Sequence, residues 1–223
     1  MVRGDLRDYV ERLLAHFGPR HWWPAETPFE VMVGAVLTQN TAWTNVERAI
    51  DNLRRSNALT PEGLSSLSTE EMQEAIRPSG YFRQKEKKLR ALLKWLLGRH
   101  GGDIEKLRAG ETDGLRRELL ELWGVGKETA DSILCYALTK PVFVVDAYTI
   151  RVLSRHGVVR RGATYDEVQE SAHASLPRDT AYLNEAHALF VALGKEFCLS
   201  RSPRCAGCPL EELLPAGGLK QQN

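Results

Sequence analysis

A glycine-containing run in the middle of the chain, Leu122 to Ala130, constrains the fold more than any other stretch. Helix-forming apolar residues precede this run and a second helical pattern follows it, so the sequence predicts two helices joined by a tight turn. Gly124 and Gly126 tolerate positive φ and let another backbone approach closely. The amides that begin the second helix lack intrahelical partners and favour an anion, and Lys127 follows them directly. The run therefore predicts a clamp for a phosphate backbone.

An aspartate follows the hairpin at the end of an apolar run. Asp146 lies twenty residues after Gly126 and directly after the segment Pro141 to Val145. It is well placed to cap a helix from Ala147 to Arg155. An ordinary αα-hairpin followed by a capping aspartate explains this spacing as well as an anion clamp does, so both interpretations remain open here.

Helix-forming residues dominate the 223-residue chain, and alternating β-branched runs are scarce. The only strand-like segment, Val142 to Val145, is too short to found a sheet. The almost wholly apolar stretch from Phe29 to Leu37 predicts a buried helix, and further helices are expected over Phe82 to Leu97 and Asn184 to Leu193. The sequence therefore predicts an all-α fold, long enough for one large domain or two smaller lobes.

The formal net charge is only +1, so no global basic field indicates a polyanionic partner. Basic residues are nevertheless concentrated within residues 83–90 and again within residues 151–161. Each cluster, taken alone, is interpreted most simply as a solvated helix face. The sequence contains neither a signal peptide nor a membrane-length apolar segment, which predicts a cytoplasmic protein. Four cysteines in such a reducing compartment indicate metal binding, catalysis or burial rather than disulfides.

Two adjacent tryptophans, Trp22 and Trp23, precede Pro24 in a loop. Both rings cannot point into one small core. A flat aromatic wall for a planar ligand is therefore an alternative to plain core packing.

Taken together, these features resemble the helix-hairpin-helix DNA glycosylase superfamily, whose best-known member is endonuclease III. The motifs occur in family order over nearly the whole chain: Leu37-Thr38-Gln39-Asn40-Thr41, Gly80-Tyr81, Leu122-Trp123-Gly124-Val125-Gly126 with Thr129-Ala130, Val144-Val145-Asp146 and a cysteine loop. A closer likeness, to the bacterial 3-methyladenine DNA glycosylase III branch, lies in Trp22-Trp23-Pro24, Gly34 to Thr41, Arg77 to Gly80 and Gly126 to Tyr136.

The resemblance implies a two-lobed fold with a cleft between the lobes. Residues 27–139 would form a helical-barrel lobe that contains the hairpin. Residues 1–26 and 140–223 would form a second helical lobe that ends in the cysteine loop. The cleft would have the hairpin on one wall and Asp146 on its floor.

The resemblance also implies base excision without strand cleavage. Bifunctional members carry a nucleophilic lysine two positions after the second hairpin glycine, where this sequence has Glu128. Lys127 is adjacent, but one helical residue turns a side chain by about 100°. The implied activity is a monofunctional DNA N-glycosylase that flips out alkylated purines such as 3-methyladenine and hydrolyses their glycosidic bond.

Asp146 is the implied catalytic residue, either as an electrostatic stabiliser of the sugar cation or as a base for water. The implied base pocket consists of Trp22, Trp23, Pro24, Trp43 and Glu128. Core packing remains the alternative for the tryptophans, and solvation remains the alternative for Glu128. Gln39 would fill the gap that the flipped base leaves, and Tyr81 would be a wedge on the opposite strand. The remaining implied DNA contacts are Asn40, Gly124, Val125, Gly126, Lys127 and Thr129.

The cysteine loop departs from the family pattern. Cys198-x6-Cys205-x2-Cys208 is similar to the start of the family's iron–sulfur loop, but Leu214 stands at the fourth ligand position. A [4Fe–4S] cluster on three thiolates with an outside ligand, a loop kept without its cluster, and another metal are the three alternatives. Cys135, in the helix after the hairpin, is expected to be a buried apolar residue.

Two other functions remain open. One is an endonuclease III-like glycosylase for oxidised pyrimidines or mismatched thymine, with or without AP lyase activity. The other is a non-catalytic helix-hairpin-helix module that binds DNA. The expected partner is double-stranded DNA with a damaged base, followed by a downstream AP endonuclease. We expect a monomer without membrane association, in a bacterial or archaeal cytoplasm at the nucleoid.

Overall fold

The computed structural model describes residues 5–215 and Gly218, and within them the chain is helical and contains no strand. The all-α prediction is confirmed. The α-helices are Leu6–Phe17 (α1), Pro28–Leu37 (α2), Trp43–Arg55 (α3), Pro61–Ser66 (α4), Thr69–Ile76 (α5), Phe82–Leu93 (α6), Ile104–Ala109 (α7), Thr112–Glu121 (α8), Lys127–Ser132 (α9), Ala147–Arg155 (α10), Tyr165–Ser175 (α11) and Thr180–Glu196 (α12). Short 3₁₀ turns span Arg77–Ser79 and Glu211–Leu213, and π-helical turns span Lys94–Arg99 and Ile133–Ala137.

The chain divides into two compact units. The central unit comprises residues 23–140, and the terminal unit comprises residues 1–22 together with residues 141–223. Each unit has its own buried apolar core.

Helix α2 is the middle of the central unit. It packs against α3, α6, α9 and the π-helical turn that follows α9. Thr27 caps it by accepting a hydrogen bond from the amide of Glu30 at 3.1 Å, and Pro28 begins it with a preset φ. Every residue from Phe29 to Leu37 is buried, so the prediction of a helix buried on all sides is confirmed.

Helix α6 is shorter than predicted. The sequence pattern favours one helix from Phe82 to Leu97, but α6 ends at Leu93 and the chain continues as a π-helical turn. The wider turn contains Gly98, which weakens regular helix. It accompanies burial of Trp95, whose indole Nε1 donates to Glu118 Oε2 at 2.8 Å. Helix α12, in contrast, extends beyond the predicted Asn184–Leu193 at both ends.

In the terminal unit, α12 packs against α1 and α10, and α1 also contacts α11. Large apolar side chains that these helices bury include Tyr9, Leu13, Val152, Leu189 and Phe190. The resulting core holds the start of α10 in place.

The extended segment before α10 has no strand partner among the described residues, yet three of its backbone polar groups bond to side chains. Side chains of α11 take the place of a neighbouring strand. The Phe143 amide donates to His173 Nε2 at 2.9 Å, the Phe143 carbonyl accepts from Gln169 Nε2 at 2.8 Å, and the Val145 amide donates to the Tyr165 hydroxyl at 3.3 Å. Because buried backbone groups need partners, these bonds allow a single strand-like segment inside an all-α unit. The segment leads directly into Asp146.

Among the described residues, no helix combines the length and the apolar character that crossing a membrane requires.

Candidate active site and nucleic-acid interface

The hairpin between α8 and α9 is fixed by a buried ion pair. Arg116 donates from Nε to Asp131 Oδ1 at 2.7 Å and from a terminal nitrogen to Oδ2 at 3.0 Å, and Asp131 is fully buried. The Val125 amide donates to the Leu122 carbonyl at 3.1 Å and closes the turn. Gly124 has φ 79° there, the left-handed conformation that this turn position requires. The ion pair therefore holds the two helices while the turn stays exposed.

Gln39 is bonded to the hairpin. Its Nε2 donates to Thr129 Oγ1 at 2.8 Å and to the Gly124 carbonyl at 3.2 Å, while its Oε1 accepts from Lys88 Nζ. A Cβ on Gly124 would lie 2.6 Å from Lys88 Cε. Glycine is thus needed at position 124 for its φ and for the lysine stem that crosses it. The structure brings together Gln39, Gly124 and Thr129, three of the residues predicted to contact DNA.

Lys85 is a residue that the sequence interpretation missed. It is only 2% exposed, and its ammonium donates to the Leu37 carbonyl at 2.8 Å and to the Ser79 carbonyl at 2.6 Å. Burial, together with the charge of Lys88, lowers the pKa of Lys85 to about 8. The solvated-face interpretation of this basic cluster is therefore wrong for Lys85. Its spacing could have indicated burial, because Lys85 lies one helical turn before Leu89 on the buried face of α6.

One groove of the central unit is lined by Gln39, Asn40, Tyr81 and Gly124, together with Trp123. The structure therefore places four of the predicted DNA contacts along one surface, and Trp123 is a lining residue that carried no predicted role. Of the other predicted contacts, Lys127 is the exposed first residue of α9, Gly126 is its exposed N-cap, and Val125 is buried. We call this surface the Tyr81–Trp123 groove.

Three aromatic rings meet elsewhere in the central unit. The ring centroids of Trp23 and Trp43 are 5.1 Å apart with planes at 82°, and those of Trp23 and Tyr136 are 5.4 Å apart with planes at 46°. The Trp23 ring packs on Gly34, where a Cβ would lie 3.1 Å from the indole. Trp43 Nε1 donates to Glu47 Oε1 at 2.9 Å. Tyr136 is the last residue of the stretch from Gly126 that resembles the family, but the sequence indicated no role for it.

The remaining pocket candidates lie in different surroundings. Trp22 is half-buried and belongs to the terminal unit. Pro24 is exposed and lines a surface depression with Trp43 and the charged residues Glu47 and Asp51. Glu128 is exposed at the second residue of α9.

Asp146 caps α10, as predicted. Its Oδ1 accepts from the Thr149 amide at 2.7 Å, and its Oδ2 lies 3.7 Å from His187 Nε2. Burial opposes ionisation of this carboxyl group, but the neighbouring His187 imidazole and the hydrogen bond from Thr149 outweigh it and lower the pKa of Asp146. Asp146 is thus a buried carboxylate that stays ionised. His187 is a second residue that sequence reasoning missed, because a histidine on the buried face of α12 carries no distinctive pattern.

Cys198, Cys205 and Cys208 line one small cavity, and Leu214 lines it as well. Arg155 is 4% exposed and donates to Cys198 Sγ at 3.3 Å, to the Leu199 carbonyl at 2.7 Å and to the Ser200 carbonyl at 2.7 Å. The solvated-face interpretation of the second basic cluster is therefore wrong for Arg155.

The cavity does not fit a four-thiolate iron–sulfur cluster. Leu214, at the fourth ligand position, offers only an apolar side chain. Burial raises the pKa of Cys208 to about 11, and burial also raises that of Cys205. In the described part of the chain, no three side chains of histidine, cysteine, aspartate or glutamate are grouped so that they could hold a metal ion. Cys135 is buried, as predicted, and burial raises its pKa to about 12.

Comparison with known proteins identifies the family. The profile described as HhH-GPD superfamily base excision DNA repair protein matches residues 33–178. A Methanocaldococcus jannaschii protein, provisionally named a DNA repair glycosylase, is 46% identical over 90% of this chain and 91% of its own.

Two solved structures are similar to this chain. One is a non-covalent endonuclease III–DNA complex, with a TM-score of 0.80, 25% identity, and coverage of 94% of this chain and 93% of the other. The second is H. pylori 3-methyladenine DNA glycosylase bound to 1,N6-ethenoadenine, with a TM-score of 0.74, 28% identity, and coverage of 86% of this chain and 98% of the other. The chain belongs to the HhH-GPD superfamily of base excision DNA repair proteins and is a DNA N-glycosylase.

Proposed function

We propose that the protein is a monofunctional glycosylase that removes alkylated purines, 3-methyladenine foremost, from double-stranded DNA. The observation that carries this proposal is the aromatic cluster of Trp23, Trp43 and Tyr136. A purine methylated on a ring nitrogen is cationic, and the faces of aromatic rings attract cations. The likeness to a 3-methyladenine DNA glycosylase that was solved with a modified adenine supports the same substrate class.

Glu128 supports the absence of lyase chemistry. A Schiff base with the sugar needs an amine, and position 128 offers a carboxylate on an exposed helix residue. Lys127 is assigned to a backbone phosphate. An alkylated purine leaves readily because it already carries positive charge, so hydrolysis without a covalent intermediate is sufficient.

Asp146 is proposed to act on the sugar. Its carboxylate is buried, stays ionised and is held by Thr149 and His187. A fixed anion stabilises positive charge that develops on the sugar as the base leaves, and it can also accept a proton from the attacking water. Both roles require the deprotonated carboxyl group.

The DNA contacts are proposed for the residues along the Tyr81–Trp123 groove and the hairpin. Gln39 would enter the gap left by the flipped base and Tyr81 would be the wedge. Asn40 and the hairpin residues Gly124 to Thr129 would hold the phosphate backbone. The abasic product would then need a separate AP endonuclease.

The cysteine loop is proposed to work without an iron–sulfur cluster. Arg151 donates to the Cys198 carbonyl at 2.7 Å and to the Gly194 carbonyl at 3.0 Å, and Arg155 holds the next two carbonyls. These bonds, together with burial of Leu210 and Leu213 in the core, support a loop that folds through its protein contacts.

The experiment that tests the substrate proposal compares bases freed from three duplexes. One carries 3-methyladenine, the second an oxidised pyrimidine and the third a thymine–guanine mismatch. We expect release of 3-methyladenine alone. Release of the oxidised pyrimidine or of thymine instead would favour an endonuclease III-like enzyme, and release from none of them would favour a DNA-binding module.

A further inference from the structure

Thr149 carries a hydroxyl group at a completely buried position of α10. The residue is 0% exposed, and no donor or acceptor among the described residues stands in hydrogen-bonding geometry to its Oγ1. Burying a hydroxyl group without a partner is costly, whereas valine has the same shape and avoids that cost. A threonine at this position therefore indicates that its hydroxyl group acts on a neighbouring group.

The backbone does not supply that neighbour. A threonine within a helix usually bonds to a carbonyl group one turn earlier, which for Thr149 means the carbonyl of Val145 or of Asp146. The Thr149 hydroxyl bonds to neither of them, and the Asp146 carbonyl already accepts from the Ile150 amide at 3.0 Å. Because Thr149 is fully buried, its hydroxyl group cannot contact bound DNA either.

The acceptor that remains beside it is the carboxylate of Asp146. Asp146 Oδ1 accepts from the Thr149 amide at 2.7 Å, so the threonine side chain begins next to that carboxylate. Burial opposes ionisation of Asp146, but His187 and both the amide and the side chain of Thr149 favour the ionised form and lower its pKa. Threonine has two accessible χ1 rotamers in a helix, which lets its hydroxyl group turn toward the carboxylate.

A hydroxyl donor would complete the set of groups that hold this carboxylate. The amide of Thr149 bonds Oδ1, and Nε2 of His187, the titratable group of α12 that acts on Asp146, lies 3.7 Å from Oδ2. A hydrogen bond from a hydroxyl group to an ionised oxygen is short and strong. It would therefore restrict rotation of the carboxylate more than the amide alone does.

We propose that Thr149 is a positioning residue for Asp146, with its hydroxyl group donating to the carboxylate and fixing the orientation in which the carboxylate faces the sugar. Thr149 does not touch the substrate and acts only through Asp146. The inference rests on the proposed function in taking Asp146 as the group that acts on the sugar. The hydrogen bond itself can be measured without DNA.

The first measurement is the pKa of the Asp146 carboxyl group in the full-length, DNA-free protein, by ¹³C NMR titration with Asp146→Asn to assign the signal. Thr149→Val keeps the amide and removes the hydroxyl group. It should raise this pKa by about 1 pH unit, the effect expected for one lost hydrogen bond to a charged group. Thr149→Ser should restore a low pKa. Ser154→Ala, which removes a hydroxyl group from another buried residue of α10, should leave the pKa unchanged.

Thermal unfolding at pH 7 gives a second comparison. If the hydroxyl group bonds the carboxylate, Thr149→Val should lower Tm by about 3–6 °C. If the hydroxyl group is only a buried group without a partner, its removal should leave Tm unchanged or raise it.

The third measurement separates orientation from binding. Single-turnover release of 3-methyladenine at pH 7 should be about 10- to 100-fold slower in Thr149→Val, because a misplaced reacting group lowers the rate, while the Kd for the same DNA changes less than about threefold. Thr149→Ser should recover most of the rate.

The inference is overturned if Thr149→Val leaves the pKa of Asp146 unchanged with Tm at or above the wild-type value, or if it releases the base at the wild-type rate. A raised pKa in Thr149→Val, with no base released by wild type, contradicts the proposed function alone. Base release by wild type, with an unchanged pKa in Thr149→Val, contradicts this inference alone.

Discussion

His187 Nε2 lies 3.7 Å from Asp146 Oδ2, and both side chains are buried in the terminal unit. Asp146 caps the start of α10 and His187 lies within α12, two helices that pack directly on each other. The pair explains how a carboxyl group that burial would neutralise is kept ionised. The His187 imidazole lies beside the same carboxylate that the Thr149 amide holds in place, and both favour its ionised form.

Replacing the histidine should therefore change the pH dependence of catalysis. In His187→Gln, burial acts on Asp146 with less opposition, so its pKa rises and the acid limb of the kcat/KM profile moves to higher pH. In wild type the pKa of Asp146 lies below its ordinary value of 3.8, so the ionised carboxyl group stabilises the fold at pH values above 3.8. This stabilisation is lost as the pH falls through the folded pKa. His173→Gln, which changes a histidine of α11 that bonds the Phe143 amide, is the control. An unshifted acid limb in His187→Gln would contradict the proposed role.

The buried ammonium of Lys85 should make stability rise with pH in the alkaline range. Between its folded pKa of about 8 and its ordinary value of 10.5, the unfolded chain binds more protons than the folded chain, so the free energy of unfolding increases with pH. The free energy of unfolding is measured with urea at pH 7 and at pH 10. From pH 7 to pH 10, it should rise by up to about 3 kcal/mol more in wild type than in Lys85→Met. The exposed neighbour Lys87, replaced by methionine, should show no such gain. If the free energies of unfolding of wild type and Lys85→Met differ by the same amount at both pH values, the ammonium is solvated and the prediction is wrong.

Glu128 should determine whether the protein forms a covalent adduct with DNA. Wild type treated with borohydride on duplexes that contain an abasic site should show no trapped complex, because no amine stands at position 128. Glu128→Lys should gain a measurable trapped fraction, and Lys127→Met should behave as wild type. A trapped wild-type complex on denaturing gels would contradict the monofunctional proposal.

The cysteine loop should depend on Arg155 more than on its thiols. Arg155→Met removes the buried guanidinium together with its three hydrogen bonds and should lower Tm by about 5–10 °C. The double variant Cys205→Ser and Cys208→Ser should lower Tm by less than about 3 °C. Arg204→Met, on an exposed arginine of the same loop, should have little effect. Stoichiometric iron in wild type, with a large Tm loss in the double cysteine variant, would show that a cluster holds the loop.

Local chemistry was sufficient to predict much of this fold. The all-apolar run from Phe29 to Leu37 leaves no polar face for solvent, so it has to be buried on all sides. Ser68 with Glu71 and Thr164 with Glu167 each form a capping box, a motif that sequence alone can indicate because its two halves lie within four residues of each other.

The features that the sequence did not reveal depend on partners distant along the chain. Lys85 reaches a carbonyl on α2, and His187 reaches a carboxylate at the start of α10. Tyr81 adopts a left-handed conformation that its residue type disfavours, so only its surroundings explain it. The exposed Trp123 was predicted only as part of a motif, because sequence periodicity does not indicate which turn residue projects into a groove.

The most direct test of the central claim is mass spectrometry of the bases that wild type and Asp146→Asn free from methylated duplex DNA, with the Kd for the same DNA measured in parallel. Asparagine keeps an oxygen for the Thr149 amide, so the variant should stay folded. We expect wild type to release 3-methyladenine, and Asp146→Asn to lose at least about 100-fold in rate while its Kd changes less than about threefold. Release of 3-methyladenine by Asp146→Asn at the wild-type rate, or no release of it by wild type, would contradict the account.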